Sequence, residues 1–209
     1  YIGLDFEMGY IDSMYDVMAM ETAMLKYVMD YIRENYANEI EILEAEVPVI
    51  NEIPCVTLLE AKEILGNKGS GNKLDLEPED EVSICEYAKE EFDSDFIFVT
   101  HFPSSKPPFY AMDSKEDPRL AYKFDLLFRG LEITSGGQRI HDYDEQVAKM
   151  KAQGLNPDDF KYYLEAHKYG LPPHGGLGIG LERLVMKIIN AQNIRTCSMF
   201  PRDINRLLP

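Results

Sequence analysis

The first ten residues, YIGLDFEMGY, alternate apolar and polar positions as a half-buried strand does. From Asp12 to Asn35 the period changes. Apolar residues recur every three or four positions, which predicts one long amphipathic helix whose methionines fill a core. Residues 39–46 alternate Ile, Ile and Leu with Glu and predict another strand. Thr57 and Glu60 form a capping box ahead of LLEAKEIL, and Pro78 suits the first turn of a further helix. Between them NKGSGNK, residues 67–73, is a polar loop. Strand patterns then follow closely at 95–102 (DFIFVTHF), 109–112 (FYAM), 122–130 (YKFDLLFRG) and 131–140 (LEITSGGQRI). Two helices come next, DYDEQVAKMKAQG and NPDDFKYYLEAHKYG, the second capped by Asn156 with Pro157 at its first position. GGLGIG closes the strands and LERLVMKIINAQ the helices. Strands joined by short turns, with helices grouped between them, predict an α+β fold: an antiparallel sheet with flanking helices.

Composition narrows this only a little. The chain has 209 residues, of which 45% are hydrophobic and 28% charged, as in a globular domain with a sizeable core. No apolar run is long enough for a membrane span. The start lacks the features of a signal peptide and reads as a strand entered in mid-course, so a fragment is expected. Cys55, Cys85 and Cys197 have no zinc spacing and predict buried, reduced thiols in a cytosolic protein. The net charge of −16 argues against nucleic acid when taken alone, but it describes the whole surface and not one site. Much of the acid lies in residues 76–95, a run that predicts a solvated helix face.

Candidate chemistry gathers in two segments. In FDLLFRGLEITSGGQRIHDYD, Asp125 and Glu132 are seven residues apart. A regular strand would put them on opposite faces, so a bulge or a bend at Arg129-Gly130 is needed to bring them together. Ser135, Gly136 and Gly137 allow close approach to the backbone, and Arg139 follows. Two carboxylates beside an arginine suit a magnesium ion and an anionic ligand; a plain charged edge strand remains an equal alternative. In HGGLGIGLER the glycines at 175, 176, 178 and 180 clear side chains from a strand, and Arg183 falls in the first turn of the next helix. There it can stack on an aromatic ring or reach a phosphate, or the glycines can serve helix-to-sheet packing alone.

Together these segments resemble the class II aminoacyl-tRNA synthetases. GGLGIGLER resembles their motif 3 and YIGLDFEM the end of motif 2. FDLLFRGLEITSGGQRIHDYD and NIRTCSMFPRDINRLLP resemble the aspartyl branch of archaeal and eukaryotic type. The resemblance spans residues 1–209 and implies the C-terminal part of a catalytic domain, from the end of motif 2 through motif 3, without motif 1 or an anticodon-binding domain. It implies ATP-dependent activation of aspartate and transfer to tRNA(Asp), and to tRNA(Asn) in a non-discriminating enzyme. By itself the segment is expected to be inactive, for want of the α-phosphate arginine and the loop that closes over aspartate.

By that resemblance Asp125 and Glu132, with Ser135, hold Mg2+ on the ATP phosphates. Arg139 pairs with the aspartate side chain and Asp5 with its ammonium group. Glu7 lies in the ATP region, and Arg183 and Gly180 border the nucleotide. Arg183 and Glu132 are the catalytic pair. His141 and His174 have no assigned role. One departure is SSKPPFY, where Pro107 stands in the place of the family's basic residue before Pro-Phe-Tyr. The full enzyme is expected to be a cytoplasmic homodimer that is not membrane-bound. The alternatives are an asparaginyl-tRNA synthetase, a synthetase-like amide-forming enzyme, and a non-catalytic binding paralogue.

Overall fold

In the computed structural model, which describes residues 1–208, six strands form one sheet. They are β1 (Gly3–Gly9), β2 (Cys55–Thr57), β3 (Phe96–Thr100), β4 (Lys123–Phe128), β5 (Glu132–Gln138) and β6 (His174–Gly180), in the order β1-β6-β5-β4-β3-β2. Every pairing is antiparallel except β2 with β3. Among the described residues no helix is long and apolar enough to cross a membrane.

Strand alternation gives the sheet two unlike faces. Phe96, Phe98, Phe124, Leu126, Leu177 and Ile179 point to one side, against Val17, Leu25 and Met29 of the long helix α1 (Met14–Asn35). Met14, Met18 and Met29 are buried there as expected, although Met20 is half exposed. The opposite face is covered over β2, β3 and β4. There α3 (Leu58–Leu65) and α4 (Pro78–Phe92) pack on Ile97, Val99 and Leu127. Over β1, β6 and β5 that face is left open.

Local signals account for several element ends. The Thr57–Glu60 capping box starts α3, and Pro78 opens α4. Arg129 (φ 47°) and Gly130 (φ 79°) make the two-residue turn between β4 and β5, in the conformation that matches strand twist.

Several expectations fail. Residues 39–46 do not form a strand: Ala37–Leu43 is a short helix, α2, ended by Glu44 at φ 50°. So short an alternation of Ile and Leu with Glu, rich in good helix formers, fits either period. Residues 109–112 make only an isolated bridge from Ala111 to Arg139. The preceding Pro107 and Pro108 lack the donors that a ladder needs. Cys85 is buried, but Cys197 is half-buried and Cys55 exposed; all three are free thiols. The acidic helix α4 is not solvated throughout. Asp80 is buried and accepts from Lys62 Nζ (2.7 Å), the Ser70 hydroxyl (2.6 Å) and the Ser70 amide (2.8 Å).

Behind the sheet, Glu21 of α1 is fully buried. It accepts from the Thr134 hydroxyl at 2.6 Å, and its second carboxylate oxygen has no partner. Burial pushes its pKa from 4.5 to about 7 despite that hydrogen bond. The folded chain therefore holds this proton more tightly than the unfolded chain, so the stabilisation is complete below pH 4.5 and is lost as pH rises through about 7. Glu21→Gln should raise the thermal midpoint at pH 8 by several degrees, with a gain of up to roughly 3 kcal/mol. The difference should shrink towards pH 5. An equal gain at both pH values would show that ionisation of Glu21 is not the cause.

Candidate functional site

Register places the chemistry in rows across the open face. Asp5 of β1 lies opposite Gly178 of β6, Gly178 opposite Ser135 of β5, and Ser135 opposite Asp125 of β4. The next row runs Glu7, Gly176, Gly137 and Lys123. Gly176, Gly178 and Gly180 therefore share the open face, whereas Gly175 points to the core, where a Cβ would lie 3.1 Å from Val17. The bare positions make room first for protein carboxylates. A Cβ on Gly178 would lie 2.7 Å from an Asp5 oxygen, and one on Gly176 would lie 2.3 Å from the Glu7 carboxyl carbon.

Asp125 and Glu132 are brought to one face by the Arg129-Gly130 turn, which sets Glu132 opposite Leu127, two residues from Asp125; a bulge beyond Glu132 then brings Ser135 to the same face. Leu126 lies opposite Thr134 but Leu127 lies opposite Glu132, so Ile133 is the extra residue. Ile133 drops into the core beneath α1, while Glu132 and Ser135 both face outward. Asp125 is buried and paired with Lys123; its Oδ1 has no hydrogen-bond partner. Burial raises the Asp125 carboxyl above its ordinary range against the pull of Lys123. Burial and then the charge of Asp125 raise Glu132, against Lys123 and Arg183.

Two cavities meet at this row. The first, about 450 Å3, contains Arg139, Glu7, Lys123, Pro107 and Tyr110. The second, about 690 Å3, contains Glu132, Gly180, Arg183 and Ile194. Asp5, Ser135 and Gly178 line both. Arg139 aims its fork at Glu7, with Nε and Nη2 donating to Oε1 at 3.1 and 2.9 Å, and its guanidinium stacks on the Tyr110 ring. Glu7 thus sits with Arg139 in the first cavity, away from Arg183 and Gly180. After α5 (Tyr143–Ala152) and α6 (Lys161–Lys168), Arg183 rises from the first turn of α7 (Leu181–Ile188) and donates to the Glu132 carbonyl at 2.6 Å.

The structure adds residues that the sequence patterns did not single out. Glu81 of α4 accepts from the Glu132 amide at 2.8 Å, and burial holds its own carboxyl above the usual range. Lys123 balances Asp125. Glu182, buried beside Arg183, accepts from the Ile2 amide at 2.9 and 3.0 Å and so ties the start of β1 to α7. Pro107 does line the first cavity, while Lys106 turns away to Asp75 at 2.9 Å. His174 begins β6, its ring nitrogen within 3.0 Å of the Pro172 carbonyl. His141 has a buried Nδ1 without a partner and lines neither cavity. Only Lys123 had a local signal, since strand alternation puts it on the Asp125 face.

Comparison with known proteins agrees with this geometry. The family model described as tRNA synthetases class II (D, K and N) matches residues 1–204. An aspartate–tRNA(Asp/Asn) ligase of Thermus thermophilus is 46% identical across all of this chain, which covers 50% of that protein. The chain spans about half the length of the curated relatives it matches. Among solved structures, an aspartyl-tRNA synthetase of Entamoeba histolytica superposes with a TM-score of 0.94 at 32% identity, covering 99% of this chain and 44% of that one. An asparaginyl-tRNA synthetase of Pyrococcus horikoshii gives 0.89 at 31%, covering 99% and 50%.

Proposed function

The chain belongs to the class II tRNA synthetases (D, K and N), and from that membership we propose that its two joined cavities bind aspartate and ATP in the service of an aspartate–tRNA ligase. The observation that carries this reading is the fork of Arg139, which already holds a carboxylate, that of Glu7, in the smaller cavity. A planar guanidinium fits a carboxylate at two points, whereas an amide presents unwanted donors to it. This favours aspartate over asparagine.

Asp5 is placed to hold the substrate ammonium group, because it lines both cavities and extends over Gly178. Arg183 and Gly180 border the space for the nucleotide. An oxygen of the aspartate α-carboxylate bonds to the α-phosphorus, and the bond from that phosphorus to the pyrophosphate leaving group breaks. The ribose hydroxyl oxygen at the end of the tRNA then bonds to the acyl carbon, the bond from that carbon to the phosphate oxygen breaks, and AMP leaves as the hydroxyl gives up its proton. Such chemistry depends on positioning and on neutralising phosphate charge.

Among the described residues no cluster of three or more His, Cys, Asp or Glu side chains forms a metal cage. Magnesium, however, needs only one or two carboxylates when phosphates and water complete its shell. The unpartnered Oδ1 of buried Asp125, beside Glu132 and Ser135, fits such an ion. When bound, Mg2+ would neutralise phosphate charge. Glu132, held at one end by Glu81 and faced by Arg183, is the residue that keeps this region acidic.

Glu132→Gln, made in the full gene product, tests the assignment. Aspartate-dependent exchange of pyrophosphate into ATP should fall about tenfold or more, with tRNA binding nearly unchanged. Equal loss of both would make Glu132 a structural residue. In this reading the partners are aspartate, ATP and tRNA(Asp), with tRNA(Asn) if the enzyme does not discriminate.

A further inference from the structure

Helix α5 (Tyr143–Ala152) and the residue after it touch neither cavity, yet one helical face of this segment is spent on the wall of the smaller cavity. Gln146, Lys149 and Gln153 are three and four residues apart and so lie in one row. All three reach the loop 103–113. Gln146 Nε2 donates to the Phe109 carbonyl at 2.8 Å, and Gln153 Nε2 to the Pro107 carbonyl at 3.2 Å. Lys149 Nζ donates to the Ser104 hydroxyl at 2.7 Å and to its carbonyl at 3.3 Å, and it pairs with Asp113. The Ser104 hydroxyl also donates to Asp113. One ammonium group thereby joins both ends of the loop. Its side chain is only 8% exposed, so opening the loop would leave a buried charge unpaired.

The inner side of this loop faces the ligand space. Pro107, Pro108, Tyr110 and Ala111 line the smaller cavity. The Tyr110 carbonyl accepts from the Ile140 amide at 2.9 Å, and the Met112 amide donates to the Gln138 carbonyl at 3.0 Å. These two bonds bracket Arg139 on the extension of β5, and the Tyr110 ring lies against its guanidinium, 4.9 Å from the ring centre. The direction of the fork is therefore tied to a loop with two prolines, and that loop to the helix behind it.

The geometry points to α5 as a positioning strut: Gln146, Lys149 and Gln153 act through the 103–113 loop to fix the Arg139 fork, and so set the affinity and acid-over-amide selectivity of the smaller cavity without affecting the nucleotide. The ligand part of this inference rests on the reading of that cavity as the aspartate pocket.

The test uses Gln153→Leu, at an exposed position, and Lys149→Met, both in the full gene product. Hydrogen exchange reads the strut itself. The Met112 and Ile140 amides should lose protection in both variants. Pyrophosphate exchange, with each substrate varied separately, reads the consequence. The KM for aspartate should rise a few-fold in Gln153→Leu and about tenfold in Lys149→Met, which loses a charge-assisted anchor. The KM for ATP should stay within about twofold, because Arg183 and Gly180 do not touch the loop. Preference for aspartate over asparagine should fall in parallel. Unchanged protection in Gln153→Leu overturns the strut. Lost protection with the two KM values rising together overturns its selectivity for the amino-acid half. An unsubstituted protein without aspartate-dependent exchange overturns the ligase reading instead, and hydrogen exchange then still judges the strut.

Discussion

In the full gene product, Arg139→Leu should cut the use of aspartate by about a hundredfold or more, while the KM for ATP changes little. The fork makes a two-point, charge-assisted contact, and each such bond contributes roughly 1.5 to 3 kcal/mol. Stability should hardly change, since the Glu7 side chain left behind is 55% exposed and can be solvated. Arg139→Lys should recover only part of the loss, because an ammonium lacks the planar fork. The measurement is steady-state pyrophosphate exchange with each substrate varied in turn. Loss of ATP binding with an intact response to aspartate would assign Arg139 to the nucleotide half.

In the full gene product, Gly176→Val should abolish pyrophosphate exchange and lower the thermal midpoint markedly. A Cβ there would lie 2.4 Å from the Phe6 carbonyl oxygen as well as against Glu7, and backbone cannot move aside as a flexible side chain can. The β1–β6 pairing must open at this point, and overpacking of this kind costs about 1–3 kcal/mol or more. Gly178→Ala provides the contrast. There the short contact is with the Asp5 carboxylate alone, so the sheet should survive while Asp5 is displaced. That variant should keep its melting temperature, with a weaker response to aspartate. If Gly176→Val melts like the unsubstituted protein, the space above β6 is less constrained than the register indicates.

What could be read from the sequence was what lies within one element. The period of residues 14–35 predicts α1, Thr57 and Glu60 predict the start of α3, and the alternating glycines of 174–180 predict a bare strand face. The failures share a different cause. Whether 39–46 coils or extends depends on whether a sheet edge lies near it. Whether 109–112 becomes a strand depends on the prolines before it and on the β5 extension beside it. Glu81 reads as one more acid on a charged helix until α4 is laid against β4 and the Glu132 amide meets it. The row on α5 likewise carries no local sign of the loop it meets. Resemblance proposed site residues, but the placement of Glu7 with Arg139 needed the register between β1 and β6.

The extra residue at Ile133 also governs which changes of length this chain can tolerate. With Ile133 deleted, Glu132 would directly precede Thr134, which faces α1, and regular alternation would keep both Glu132 and Ser135 on the open face without a bulge. A residue deleted between Ser135 and Arg139 has no such slack and would turn the fork to the other face. The hairpin can therefore change length at the bulge but not beyond it. The polar stretch 67–73, which lies outside the sheet, is under no such counting rule. Libraries built on this scaffold should vary length there or at Ile133, and only side-chain identity between Ser135 and Arg139.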